Sequence, residues 1–154
     1  MYLEYMNGRL SDAGNDLRKA LEESAAQKAA SAEVEKVSEG MVSEIKDAIN
    51  TLAEELKPVF AENGKLLEVI TPARDTNLIE VLYYPESTLK QTRGVNTAAL
   101  RIEFAPKDGR AIVLRRDSFF TPFEKVETVN ITNKNSVAHL AEATYNFAKS
   151  VAVK

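Results

Sequence analysis

The sequence predicts an α+β fold with a long N-terminal helical segment, a largely antiparallel five-stranded sheet and a C-terminal helix packed on the sheet. Before Asn63-Gly64, apolar residues recur at spacings of three and four, as in helices; after it they fall in short runs typical of strands. The charge changes at the same point. Residues 1–64 hold 7 Lys/Arg against 13 Asp/Glu, whereas residues 65–154 hold 13 against 10. Helical spacing returns only at the end of the chain.

Residues 1–33 are predicted to be a helical or partly disordered N-terminal arm. Gly8 and Gly14 interrupt its helical pattern, and residues 22–33 contain no large apolar side chain. Because a helix that buries nothing is only marginally stable, the arm could be a helix, a helix that forms on pairing, or a frayed tail. Its apolar residues keep the spacing of one helical face: Leu3, Met6, Leu10, Ala13, Leu17 and Ala20.

Residues 34–62 are predicted to form an amphipathic helix. Asn63-Gly64 would end it with a left-handed cap. Its apolar stripe is predicted to consist of Val34, Val37, Met41, Ile45, Ala48, Leu52, Leu56 and Val59.

The rest of the chain is predicted to be the sheet and a closing helix, which join helix 34–62 in one α+β domain over residues 34–154. The strands are expected at about 66–70, 78–84, 97–104, 110–115 and 125–132. Short connections, including a turn at Pro106–Gly109, favour antiparallel pairing. The closing helix is expected at 136–151, capped by Asn135 or Ser136.

No catalytic constellation is visible, so the sequence predicts a protein that is not an enzyme and has no cofactor or metal. The chain has no cysteine and a single histidine, His139, which is expected on the exposed face of the closing helix. A Ser-His-Asp arrangement with Ser118 and Asp117 is disfavoured because nothing places the three together. Gly64-Lys65 follows a helix and lacks the pattern of a phosphate-binding loop.

Residues 88–116, the basic hairpin, could bind nucleic acid. They hold seven Lys/Arg against two acidic residues. Arginines on a sheet beside aromatic rings can hold single-stranded nucleic acid, although few aromatic residues are nearby. Solubilising charge on a water-facing sheet is the simpler interpretation. The residues that would carry the binding are Arg101, Arg110, Arg115 and Arg116.

Residues 119–123, the phenylalanine turn, contain Phe119, Phe120 and Phe123 around Pro122. Aromatic side chains bury large areas, so at least two are expected to fold over the sheet edge. Alternatively, they anchor a protein partner. A third possibility is a small-ligand site beneath the closing helix. It would be lined by Tyr83, Tyr145 and Phe147.

The leading functional prediction is a protein-interaction or adaptor module that works through its N-terminal helices. Helix 34–62 would be about 43 Å long, against about 20 Å for a six-residue strand, so the helices carry apolar surface that the sheet cannot cover. The expected partner is a second copy or another protein, with no membrane and a cytoplasmic location. The residues predicted to carry it are Leu10, Leu17, Val34, Val37 and Met41, with the phenylalanine turn as a second surface.

Overall fold

The computed structural model describes residues 2–86 and 97–153, with side chains from residue 12 onward. The chain forms two compact units, Met1–Glu33 and Val34–Lys154. The described residues form α1 (Tyr2–Glu62), β1 (Leu66–Ile70), β2 (Leu78–Tyr84), β3 (Ala98–Ala105), a 3₁₀ turn (Pro106–Asp108), β4 (Arg110–Arg116), β5 (Glu124–Asn130) and α2 (Asn135–Ala152).

The sheet is an antiparallel meander in the order β1-β2-β3-β4-β5. In its centre, Ile102 of β3 lies between Ile79 of β2 and Val113 of β4. The two α-helices and the five antiparallel strands of the described chain confirm the predicted α+β class.

In the unit Val34–Lys154, both helices pack on one face of the sheet, the helix-covered face. The fully buried side chains there include Ile45 and Ile49 of α1, Leu140 of α2, and Ile79 and Ile102 of the sheet. Burial of apolar surface on this face is the main source of the unit's stability. On the other face, the open face, Leu82, Tyr84 and Ala99 form a smaller buried cluster.

The buried stripe of α1 differs by about one residue from the predicted stripe. Val37 and Val59 are exposed, although they were predicted to face inward. Ser38 is fully buried in the place expected for Val37. A small side chain fits there because Gly109 packs against this part of α1, with a Cβ at Gly109 lying 3.6 Å from the Ser38 hydroxyl oxygen. The α1 side chains that are buried are Ser38, Val42, Ile45, Ile49, Ala53 and Phe60.

Two glycines have the positive φ that their turns require. Gly64 has φ 69° directly after α1, as the cap prediction expects, and Gly109 has φ 65° between the 3₁₀ turn and β4. Gly109 is also closely packed. A Cβ atom at this position would lie 2.8 Å from Cγ2 of Thr132 and 3.1 Å from Cγ1 of Val34. Glycine is therefore needed for its conformation and for its size.

The ends of β5 and the start of α2 differ from the prediction. The β5 strand ends at Asn130, two residues early, because the Asn130 side chain accepts hydrogen bonds from both the backbone N–H and the hydroxyl of Thr132. α2 begins at Asn135 with no side-chain cap, and the Ser136 hydroxyl instead donates to the Asn133 carbonyl at 2.7 Å.

Candidate functional site

The arm is helical, and every side chain described in it, from Asp12 to Glu33, is exposed. Leu17 is 61% exposed and Leu21 is 62% exposed. Leu17 was predicted as an interaction residue, whereas Leu21 was missed because the predicted stripe continues from Leu17 to Ala20. The side chain of Leu10 falls outside the described residues.

The interaction residues predicted beyond the arm have different surroundings. Val37 is 37% exposed and remains available to a partner. Met41 is half-buried against the core of its own unit. Val34 is half-buried, and its Cγ1 atom lies beside Gly109. Val34 and Met41 therefore already contribute to packing within the unit.

The phenylalanine turn has one exposed ring and two half-buried rings. Phe123 packs on the open-face cluster around Tyr84. Phe119 is half-buried, and its ring meets that of Phe120 edge-on, with 5.3 Å between the ring centres. Phe120 is 74% exposed. Of the three predicted anchors, Phe120 is the ring most open to a partner.

Two arginines of the basic hairpin contact the phenylalanine turn. The guanidinium carbons of Arg101 and Arg116 lie 4.2 Å and 4.5 Å from the centre of the Phe123 ring. That of Arg116 also lies 5.1 Å from the Phe119 ring centre. Arg101 in addition donates to a carboxylate oxygen of Glu80 at 3.1 Å on the neighbouring strand. Both guanidinium groups are thus engaged within the chain.

The other two candidate arginines lie elsewhere. Arg110 is at the opposite end of β4 from Arg116, with its guanidinium 3.7 Å from a carboxylate oxygen of Asp108. Arg115 is on the helix-covered face, where it donates to Asp117 at 3.0 Å and lies 5.2 Å from the Phe147 ring centre. The structure therefore does not gather the four arginines into one patch. Residues 88–96 of the hairpin lie outside the described residues.

A groove of about 620 Å³ separates α1 from the 3₁₀ turn and the start of β2. Its apolar wall includes Val42 and Phe104, and its rim carries charges of both signs. Lys46 crosses it and donates to the carbonyl of Thr76. The charged groups on the rim are Glu35, Glu39, Lys46, Lys107 and Asp108. The sequence did not predict this groove, because its residues come from three separate segments.

The small-ligand site predicted beneath α2 does not form as expected. Tyr83 and Phe147 are buried in the core. The Tyr83 hydroxyl accepts a hydrogen bond from Lys65 at 3.0 Å. Tyr145 is 45% exposed on another side of α2. The three side chains therefore do not line one cavity.

His139 is exposed, as predicted, and its Nε2 atom contacts the carboxylate of Glu127 on β5. The Ser118 hydroxyl instead bonds with that of Thr121 at 3.3 Å, and Asp117 accepts from Arg115. Ser118, His139 and Asp117 thus have separate partners.

Among the side chains described, those of residues 12–86 and 97–153, no cluster of three His, Asp or Glu side chains could hold a metal ion. Within residues 2–86 and 97–153, no helix combines the length and apolar character needed to span a membrane. Comparisons with protein families, curated proteins and solved structures find no match for this chain.

Proposed function

We propose that the protein is a non-enzymatic interaction module, and that its N-terminal arm is a helix that pairs with another helix. The observation that carries the proposal is the exposure of Leu17 and Leu21 on a helix whose described side chains, from residue 12 to residue 33, are all exposed. Helices of this kind gain most of their stability when an apolar stripe packs against a partner.

The charge of the arm supports a protein partner. Residues 1–33 hold four Lys/Arg and six Asp/Glu, so the arm is mildly acidic. An acidic helix is repelled by nucleic acid and by anionic membrane surfaces. An amphipathic helix in an apolar groove, or a pair of helices, is the recognition mode that this composition fits.

Phe120 offers a second contact in the unit Val34–Lys154. Exposed aromatic side chains are enriched among the anchors of protein interfaces. The absence of cysteine is compatible with a reducing compartment, and a cytoplasmic location is part of the same proposal.

Site-specific photo-crosslinking in the producing cells tests the role of the arm. A photo-reactive amino acid in place of Leu17 should give a discrete covalent adduct. The matched control carries the same group in place of Asn15, which lies on the opposite side of the helix. We expect at least about a fivefold higher adduct yield at position 17. Equal yields at the two positions, or no adduct at either, would refute the proposal.

A further inference from the structure

We infer that the partner of the arm is the same segment of a second copy of this chain, aligned in parallel and in register. The inference rests on the proposed function and goes beyond it, because it names the occupant of the exposed stripe. Leu3, Leu10 and Leu17 are spaced seven residues apart, and Met6, Ala13 and Ala20 each follow three residues later.

This spacing defines the a and d positions of a heptad repeat, with leucine at a. A helix with a strict seven-residue repeat keeps its stripe against a partner by supercoiling. Packing of a helix on a globular surface does not require a seven-residue repeat. Pairing with a second helix along its length does require one, and the second helix then has the same repeat. The described part of the stripe, from Ala13 to Ala20, is exposed along its length.

The charges beside the stripe favour a parallel copy. In a parallel pair, the g position of one helix meets the e position five residues further along the other helix. Glu23 is at g and Lys28 is at e, so each meets its opposite charge in the partner; both side chains are exposed. The earlier g residues, Arg9 and Asp16, meet the uncharged e residues Gly14 and Leu21.

The parallel arrangement thus contains two attractive Glu23–Lys28 pairs and no repulsive g–e pair. An antiparallel arrangement pairs g with g and e with e, which leaves Glu23 and Lys28 apart. The aligned copy also covers Leu21, because Leu21 is at an e position, beside the a and d residues that contact the partner helix.

Disulfide trapping tests the geometry directly, because the chain has no cysteine of its own. Ala20→Cys places a thiol at a d position, where two parallel, in-register helices bring it against its own copy. We expect most of this variant to form a disulfide-linked dimer in a glutathione redox buffer. Asn15→Cys, at the outward f position, should give less than about a tenth of that yield.

Charge exchange provides a second measurement. In Lys28→Glu the two attractive pairs become repulsive, and the dimer dissociation constant should rise about tenfold at low salt. The double variant Glu23→Lys/Lys28→Glu restores both pairs and should return the constant to within about twofold. A double variant as weak as the single variant would overturn the parallel pairing.

The outcomes separate this inference from the proposed function. If position 17 crosslinks to a different protein and Ala20→Cys gives no disulfide dimer, the inference fails and the interaction module stands. If Ala20→Cys links only to Leu3→Cys in a mixture of the two variants, the helices are antiparallel and the inference also fails. If neither position 17 nor Ala20→Cys captures anything, both fail.

Discussion

The guanidinium carbon of Arg101 lies 4.2 Å from the centre of the Phe123 ring, so the basic hairpin and the phenylalanine turn meet on the open face. Arg116 contacts the same ring at 4.5 Å. A cation over an aromatic face is attracted by the ring quadrupole, more strongly where water is partly excluded. Two features that look independent in the sequence therefore form one structural cluster, and part of the hairpin's charge serves the fold.

Phe123→Ala should destabilise the protein, because it removes a half-buried ring and two cation–π contacts. We expect the free energy of unfolding to fall by about 2–3 kcal/mol, somewhat less than for a fully buried phenylalanine. Urea denaturation followed by circular dichroism measures the change. Phe120→Ala is the matched control and should change stability by less than about 0.5 kcal/mol, because that ring is exposed. A loss for Phe123→Ala of less than about 0.5 kcal/mol would contradict a stabilising role of the Phe123 contacts.

Gly109→Ala should cost more than Gly64→Ala, although both glycines have positive φ. At Gly64 a Cβ meets nothing within 4 Å, so only the backbone penalty of about 1 kcal/mol applies. At Gly109 the Cβ would lie 2.8 Å from Thr132, which adds steric strain and raises the expected loss to about 3 kcal/mol. Denaturation of the two variants side by side isolates the packing contribution. Equal losses would contradict close packing at Gly109.

Ser38→Ala should stabilise the protein. Ser38 is fully buried, and its hydroxyl has no hydrogen-bond partner among the described residues. Removing an unsatisfied buried hydroxyl from a helix should raise the free energy of unfolding by about 1 kcal/mol. Thr144→Val is the contrasting variant. Its buried hydroxyl donates to the Leu140 carbonyl at 2.9 Å, and loss of that bond should lower stability by about 1 kcal/mol. A lower free energy of unfolding in Ser38→Ala would contradict the prediction that this buried hydroxyl is unsatisfied.

Much of the fold was predictable because its signals are local. The first four strands each contain a short apolar run, and consecutive strands pair with each other, so the order of the strands in the sheet follows their order in the chain. The inward face of α1 was harder to predict. Val37 and Ser38 are adjacent in sequence. Because Val37 is apolar, it was predicted to face inward in place of Ser38, and this choice shifts the predicted stripe by about one residue. Only the packing of Gly109 beside α1 shows why the small Ser38 occupies the core.

Some of the candidate sites were likewise predictable from local patterns, whereas others depend on contacts between distant parts of the chain. Leu17 could be found from helical spacing alone, because the arm's pattern needs no tertiary contact. The convergence of Arg101, Arg116 and Phe123 could not, since it depends on cross-strand register. In that register Arg101 pairs with Leu114, and Arg116 follows two residues later on the same face. Side chains along a strand point to alternate faces of the sheet, so Arg115, the neighbour of Arg116, lies on the helix-covered face.

The basic hairpin should bind nucleic acid weakly or not at all. Arg101, Arg110 and Arg115 each have a carboxylate neighbour, and phosphate binding would have to displace it. We expect no saturable change in fluorescence anisotropy of a short single-stranded oligonucleotide at low salt. Saturable binding that weakens steeply with added salt, and is lost in Arg110→Gln/Arg116→Gln, would instead support the nucleic-acid function.

The arm, made as a peptide of residues 1–33, should gain helix as its concentration rises. Alone, such a segment pays the cost of helix nucleation without burying its leucines, whereas pairing of two copies buries them. Circular dichroism from micromolar to millimolar concentration should show the increase. A control peptide with Leu10→Ala and Leu17→Ala keeps or raises the intrinsic helix propensity, because alanine is the strongest helix former. It should therefore lose the concentration dependence while retaining its basal helix. If both peptides show the same helix content at every concentration, the leucine stripe does not drive self-association.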